Sequence, residues 1–129
     1  MLRLAILSDT HGQVDDRVLA VVAGCDIAIH GGDVGNAQIL RRLQPSTGRV
    51  VAVYGNNDTQ RKWPLAEHDL LACLPPEASL ELPGGTLCLI HGHQTMARGR
   101  HARLRQRYSD ARVVVYGHSH RLVADLEAQ

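Results

Sequence analysis

Phenylalanine is absent from this chain, tryptophan occurs once, and aromatic residues make up only 3% of it. A core must then be built from Leu, Val, Ile and Ala, which suits short strands rich in Val and Ile. Lysine is nearly missing as well. Lys62 stands alone against thirteen arginines, an imbalance that reads as genome composition more than function. The formal net charge is only +1, so overall charge implies no polyanionic partner. Three scattered cysteines, Cys25, Cys73 and Cys88, are odd in number and do not make a disulfide framework. Cys25 and Cys88 have apolar flanks and are expected to be buried thiols in a reducing cytoplasm. No apolar run approaches the roughly 20 residues of a membrane span. The first run contains Arg3 and ends before Asp9, so it reads as a strand and not as a signal peptide. Internal repeats and low-complexity segments are also missing.

What remains is a chain of 129 residues, 44% hydrophobic and 21% charged, which fits one soluble domain spanning residues 1–129. Its most informative feature is repeated five times. Leu2–Leu7 runs into Asp9-Thr10-His11, and Ile27–Ile29 into His30-Gly31-Gly32-Asp33. Val50–Tyr54 runs into Gly55-Asn56-Asn57-Asp58, Leu87–Ile90 into His91-Gly92-His93, and Val113–Tyr116 into Gly117-His118-Ser119-His120. Each apolar run ends in residues able to bind a metal ion. In an open α/β sheet, ligands gather beyond the carboxyl ends of the strands.

The connections are consistent with strands at these runs. Asp15–Ala23 has the apolar spacing of a helix, with Gly24 as a candidate left-handed stop. Asn36 can cap a helix running to about Leu43, and Pro45-Ser46-Thr47-Gly48 is turn chemistry. The first half is therefore β-α-β-α-β, which implies parallel strands with right-handed crossovers. Glu67–Leu74 reads as a short helix. Pro83-Gly84-Gly85 between Ser79–Leu82 and Thr86–Ile90 reads as a hairpin. Gly99–Tyr108 is an Arg-rich helix, Arg112–Tyr116 a strand, and Leu122–Leu126 the start of another.

Asp carboxylates, an Asn carbonyl and neutral His nitrogens form a mixed hard and borderline ligand set. It suits Mn²⁺, Fe, Zn²⁺, Ni²⁺ or Co²⁺ at five or six coordination. The absence of Cys from the motifs argues against a structural zinc site. Seven candidate ligands exceed what one ion can use while also holding water and substrate. They suit two ions about 3.5–4 Å apart, bridged by a carboxylate.

Taken in order, Asp9-x-His11, Gly32-Asp33, Gly55-Asn56-x-Asp58, His91-Gly92-His93 and Gly117-His118-x-His120 resemble the calcineurin-like metallophosphoesterases, in particular their small prokaryotic phosphodiesterase branch. The resemblance covers about residues 2–120. It implies an α/β (α+β) fold, a two-sheet β-sandwich flanked by helices with the site along its top edge. It implies that Asp9, His11, Asp33 and His120 hold a first divalent ion. A second would be held by Asp33, Asn56, His91 and His118, with Asp33 bridging. Mn²⁺ is the first expectation and Mg²⁺ a further one. The implied activity is hydrolysis of a phosphate ester, with metal-bound hydroxide attacking phosphorus in line and both ions stabilising the developing charge. Asp33, Asn56 and His93 are the expected catalytic residues.

Two departures bear on these expectations. Many relatives carry a His where this chain has Asn57, and that His helps protonate the leaving group. Asn cannot act as an acid at neutral pH. The small phosphodiesterase branch often lacks this His too, so Asn57 points to activated or cyclic diesters more than to monoesters. Relatives also continue past the last motif with further strands and an Asn-Pro-Gly-Ser turn, whereas this chain stops at Gln129. The C-terminal strands then look shortened, leaving an unpaired sheet edge. A symmetric homodimer, a marginally stable monomer, and a fragment or shortened gene product are the readings of that edge.

Other residues carry simpler expectations. His93 either meets substrate, as a phosphate contact or proton donor, or orients its loop. His30 reads as a hydrogen-bonded residue at a strand end. Asp58 either orients a neighbouring group or caps a turn. His68 and His101 read as surface residues. Arg61 and Lys62 could meet a substrate phosphate, although a solvated loop is the simpler reading. Arg98, Arg100, Arg103, Arg105 and Arg107 could track a nucleic acid, but the near-neutral total charge favours a solvated helix face. The rival functional readings are a phosphomonoesterase or protein phosphatase, and a non-catalytic scaffold for protein partners, a role one relative plays in the retromer coat.

Overall fold

The structure is a computed structural model, described over residues 1–119; the expected ligand His120 and the expected strand at 122–126 lie outside the described residues. The elements follow the order β1 (Leu4–Leu7), α1 (Asp16–Ala23), β2 (Ile27–His30), α2 (Ala37–Arg42) and β3 (Arg49–Ala52). A 3₁₀ turn at Leu65–Glu67 leads into α3 (His68–Ala72). Then come β4 (Glu77–Leu82), β5 (Gly85–Ile90), α4 (Arg100–Arg107) and β6 (Val113–Val115).

These strands form two three-stranded sheets. β1, β2 and β3 lie side by side in chain order and all run parallel. In the second sheet β5 is central, antiparallel to β4 and parallel to β6. The expected β-α-β-α-β half and the expected hairpin are both present. Leu82 pairs with Gly85 across the hairpin, and Gly84 takes φ 99°, a left-handed turn position open to Gly.

Strand alternation decides which faces are covered. Ile27 and Ile29 of β2 face the second sheet and pack with Val53, Leu80, Leu87 and Leu89, forming the interior of the sandwich. Ala28 faces the other way, with Ala5, against Val22 of α1 and Leu43. All four residues of β2 are consequently buried, as expected of a central parallel strand covered on both faces. A third cluster joins Val34, Ala37 and Ile39 to Trp63 and Leu71, fastening the segment after β3 over α2. The chain therefore forms an α/β sandwich with helices outside it. Among the described residues β1 is an edge of its sheet, and its Ile6 is 51% exposed. No helix among the described residues is long and apolar enough to cross a membrane.

Helix ends follow local chemistry. Asp15 caps α1 by accepting from the Arg17 N–H, and Asn36 caps α2 by accepting from the Ile39 N–H. Gly24 departs from expectation. It ends α1 at φ −86°, a right-handed conformation, so no left-handed stop is made there. Cys25 and Cys88, expected to be buried, are partly exposed, and Cys73 is exposed; all three are free thiols.

The end of β2 carries a buried hydrogen-bond chain. His30 is fully buried. Its Nδ1 accepts from the Gly32 N–H at 3.1 Å, which assigns the ring proton to Nε2. Nε2–H then donates to Thr10 Oγ1 at 2.9 Å, and the Thr10 hydroxyl donates to the Val34 carbonyl at 2.9 Å. The ring is needed neutral. Burial depresses its pKa from 6.5 to about 4, with the His91 charge adding to the depression and the carboxylates of Asp58, Asp9 and Asp33 opposing it. Between these values the unfolded chain binds more protons than the folded one. The stability contributed by His30 is full above pH 6.5 and is lost as the pH falls towards 4, amounting to about 3 kcal/mol. In urea melts of metal-free protein we expect this loss between pH 7 and pH 4. His30→Leu should be weaker at pH 7 and markedly flatter across the interval. A variant with the same pH slope as wild type would place the titration elsewhere.

Candidate metal centre

The strand ends converge as their apolar runs suggest. Ligand atoms of Asp9, His11 and Asp33 all lie within 4.8 Å of one another, and so do those of Asp33, His91 and His118. Asp33 belongs to both groups. Its Oδ2 lies 3.7 Å from His11 Nε2 and 3.4 Å from His91 Nε2. The first group comes from the loops after β1 and β2. The second adds loops after β5 and β6, so it spans both sheets.

The backbone supplies a signal that composition and spacing do not contain. Four non-glycine residues have positive φ among the described residues: Asp9 at 56°, His11 at 50°, Asp33 at 52° and His118 at 69°. All four are candidate ligands. The left-handed region is unfavourable for side chains with a Cβ and persists where surrounding structure over-determines it. Here backbone bonds provide that constraint. Asp9 N–H donates to the Gly32 carbonyl at 2.9 Å, His11 N–H to that of Asp33 at 2.9 Å and Gly12 N–H to that of Val34 at 2.8 Å. The loops after β1 and β2 are thereby laced together, with their carboxylates turned towards each other. Glycines permit the close approach. A Cβ on Gly117 would lie 2.3 Å from Asp9 Oδ2, and one on Gly55 would lie 2.2 Å from Asp33 Oδ1.

His91 is the clearest test of whether a cation fits. It is fully buried, and its Nδ1 donates to the Gly31 carbonyl at 2.7 Å. Its Nε2 has no hydrogen-bond partner and faces two carboxylates, 3.4 Å from Asp33 and 3.8 Å from Asp9. These separations exceed a good hydrogen bond. Ligands bonded to one ion at about 2.0–2.2 Å lie roughly 3.0–3.5 Å apart. A carbonyl-oriented imidazole with its free nitrogen on a carboxylate cluster is the usual arrangement of a metal-binding His. The residues present therefore fit a divalent cation.

Electrostatics keep neighbouring rings in their metal-ready form. Burial lowers the pKa of His118, and the His91 and Arg100 charges lower it further against the pull of Asp33 and Asp9. Burial likewise lowers that of His93, helped by His91, His118 and Arg100. For Asp33, burial alone would raise the pKa, but hydrogen bonds from the Asn57 side chain and backbone, with the His91 and His11 charges, bring it below 3.8. Neutral imidazoles and ionised carboxylates are the states that bind metal.

The residues around these groups take several different places. His93 stands beside the cluster, its ring 5.4 Å from that of His91 and 6.2 Å from that of His118, with a buried Nδ1 that has no partner. Asn56 is exposed, and it is Asn57 that reaches Asp33. The Asn57 N–H donates to Asp33 Oδ1 and its Nδ2 to Oδ2, both at 2.9 Å. Asp58 holds neighbouring groups in place. His68 and His101 are half-buried instead of superficial; His68 Nε2 lies against the carbonyls of Gln60 and Trp63, and His101 Nδ1 is 3.1 Å from the Tyr116 hydroxyl. Ser8, unremarkable in sequence, donates from Oγ to Asp9 Oδ2 at 2.5 Å. In the Arg-rich segment, Arg100, Arg103 and Arg105 donate to the chain's own carbonyls and Arg107 to Glu77, which leaves little of the guanidinium row uncommitted.

A sequence profile of the calcineurin-like phosphoesterase superfamily domain matches residues 2–129. The chain belongs to that superfamily. Solved structures share its fold. Vacuolar protein sorting 29 from Cryptosporidium parvum superposes with a TM-score of 0.76 at 16% identity, covering 98% of this chain and 69% of that one. An archaeal phosphodiesterase gives 0.69 at 22% identity, over 96% and 77%. Yfce, a phosphoesterase from E. coli, gives 0.55 at 27% identity, over 75% and 61%. A search by sequence among curated proteins finds no match.

Asp58 holds the arrangement together. Its buried carboxylate accepts four N–H groups: Gly35 and Trp63 Nε1 on Oδ1, Val34 and Gly55 on Oδ2. Asp58→Asn would turn an NH₂ group towards two of these donors whichever way the amide sits. We expect a loss of about 2–5 kcal/mol in chemical denaturation, with the Trp63 fluorescence maximum shifting to the red. A loss below 1 kcal/mol would mean that water takes over those donors.

Proposed function

We propose that the protein is a two-metal phosphoesterase with a preference for phosphodiesters. The observation that carries the reading is the buried, unpartnered His91 Nε2 facing Asp33 and Asp9. Asp9, His11, Asp33 and His120 would hold one divalent ion, and Asp33, Asn56, His91 and His118 the other, with Asp33 shared. When bound, such a pair activates water and neutralises charge on the phosphoryl oxygens.

The chain's own residues have separable tasks in this reading. The Gly31 carbonyl sets the His91 tautomer, and Asn57 fixes the Asp33 carboxylate by donating to both of its oxygens. Asn57 donates hydrogen bonds but has no acidic proton, so help for a poor leaving group would have to come from elsewhere. Among the described residues outside the proposed ligand set, His93 stands beside the cluster and is the imidazole we assign to that task. Substrates that leave readily, such as activated or cyclic diesters, need it least. The archaeal phosphodiesterase among the fold neighbours supports this preference, and Mn²⁺ suits the mixed ligand set.

A second reading, a non-catalytic scaffold whose role is assembly with protein partners, comes from the neighbour named for vacuolar protein sorting. Turnover decides between them. Titration calorimetry and metal analysis should give two Mn²⁺ per chain. Asp33→Asn should weaken both sites and His11→Ala mainly one. Hydrolysis of a generic nitrophenyl diester should depend on added metal and exceed that of the corresponding monoester. One ion at saturation would remove the two-metal proposal, and two ions without turnover would favour the assembly role.

A further inference from the structure

A cleft of about 240 Å³ opens beside the candidate metal centre, lined by His11, Asp33, Gly35, Asn57, Asp58 and Lys62. Lys62 is the only ammonium in that lining and the only lysine in the chain. It comes from the segment after β3, where its N–H bonds back to the Thr59 carbonyl at 3.0 Å. Its Nζ donates to Asn57 Oδ1. The other end of the same amide donates from Nδ2 to Asp33 Oδ2 at 2.9 Å.

The amide cannot be reversed. Turned over, it would present an NH₂ group to an ammonium and a carbonyl to a carboxylate. Asn57 thus faces Asp33 with its donor and Lys62 with its acceptor, and the ammonium is held at the cleft by a neutral partner. No carboxylate of the described residues forms an ion pair with it. An ammonium has three N–H donors, and this bond uses one. The two remaining donors and the positive charge line the same cleft as His11 and Asp33. A tetrahedral oxyanion entering the cleft would meet both.

We propose that Lys62 binds a non-bridging oxygen of the substrate phosphoryl group, positioned for it by Asn57. This assignment rests on the phosphoesterase reading for the identity of the anion. It gives Asn57 a purpose as an orienting residue in a place where it cannot supply a proton. It also separates Lys62 from its neighbour Arg61: both are exposed, but only Lys62 lines the cleft.

A single lysine makes the test direct. Protein labelled selectively on lysine with ¹³C and ¹⁵N gives one set of side-chain signals, and loading with Zn²⁺ keeps the site diamagnetic. Titration with inorganic phosphate, which has no leaving group, should move the Lys62 ε signal saturably. Calorimetry should show that Lys62→Ala weakens phosphate binding by about 10- to 100-fold, with metal stoichiometry unchanged and Lys62→Arg recovering part of the loss. In turnover, Lys62→Ala should raise KM for a diester by at least about tenfold. The proposal is overturned if phosphate binds while the Lys62 signal stays still, if phosphate does not bind, or if Lys62→Ala leaves the phosphate Kd within twofold. Phosphate binding through Lys62 without any hydrolysis would remove the hydrolase reading and leave the anion site standing. Hydrolysis with an unmoved Lys62 signal would do the reverse.

Discussion

One buried carboxylate sets the arrangement on which the rest depends. Asp58 gathers N–H groups from three places: the turn after β2, the turn after β3, and the indole of Trp63. Each donor belongs to a segment that would otherwise leave a polar group buried without a partner, which is expensive. With both oxygens doubly occupied, Asp58 has no capacity left for a metal ion. It acts instead as the fixed point from which Asp33, one residue before Val34, and Asn57, one residue before Asp58, take their positions. Trp63 extends the same fixed point into the apolar cluster with Ile39 and Leu71, so the polar clamp and the hydrophobic packing support each other.

Around that clamp the molecule stores strain and balances it locally. Four residues with left-handed backbone, all candidate ligands, occur in loops whose N–H and carbonyl groups are bonded to neighbouring loops. Each such residue costs of the order of 1–3 kcal/mol. The bonds from Asp9, His11 and Gly12 to the 32–34 segment offset part of that cost. The close fit also explains why Gly55 and Gly117 have no side chain: atoms of Asp33 and Asp9 occupy the space a Cβ would need. The strain and the unpartnered His91 nitrogen mark the same locus as the motifs, and the glycines within those motifs permit its close packing.

Much of this was legible in the sequence because strand ends are legible. Short Val- and Ile-rich runs stopping at Asp, Asn and His located the site and the first sheet, and the apolar spacing of Asp15–Ala23 and the cap at Asn36 located two helices. The two-sheet arrangement came only from the resemblance, since periodicity does not say which sheet a strand joins. Side-chain direction was less legible still. Asn56 and Asn57 are adjacent and chemically identical, and only the turn from Gly55 to Asp58 determines that Asn57 meets Asp33. His68 and His101 lack a motif yet have partners, the Gln60 and Trp63 carbonyls and the Tyr116 hydroxyl, because groups brought near by the fold leave no trace in local periodicity. Asp58 illustrates the same limit: its four donors lie between three and 24 residues away along the chain.

The site also ties folding to chemistry through its position across the sandwich. His91 follows β5 of the second sheet, yet its Nδ1 is anchored on Gly31 and its Nε2 faces Asp33, both in the loop after β2 of the first. His118 follows β6, and its N–H donates to Asp9 Oδ2 after β1 at 3.1 Å. Gly117 N–H in turn donates to the His91 carbonyl at 3.0 Å. The His91–Gly31 and His118–Asp9 bonds cross between the sheets at the rim, while Ile29, Val53 and Leu89 join the sheets in the interior. Nonpolar burial is non-directional and would tolerate some sliding of one sheet over the other. The rim bonds do not tolerate it, because displacement would leave a fully buried imidazole without its carbonyl partner. A cation shared by Asp33 and His91 would add a further crosslink at the same place. The ligand set is thus both what the apolar sandwich positions and what fixes the register of its two halves.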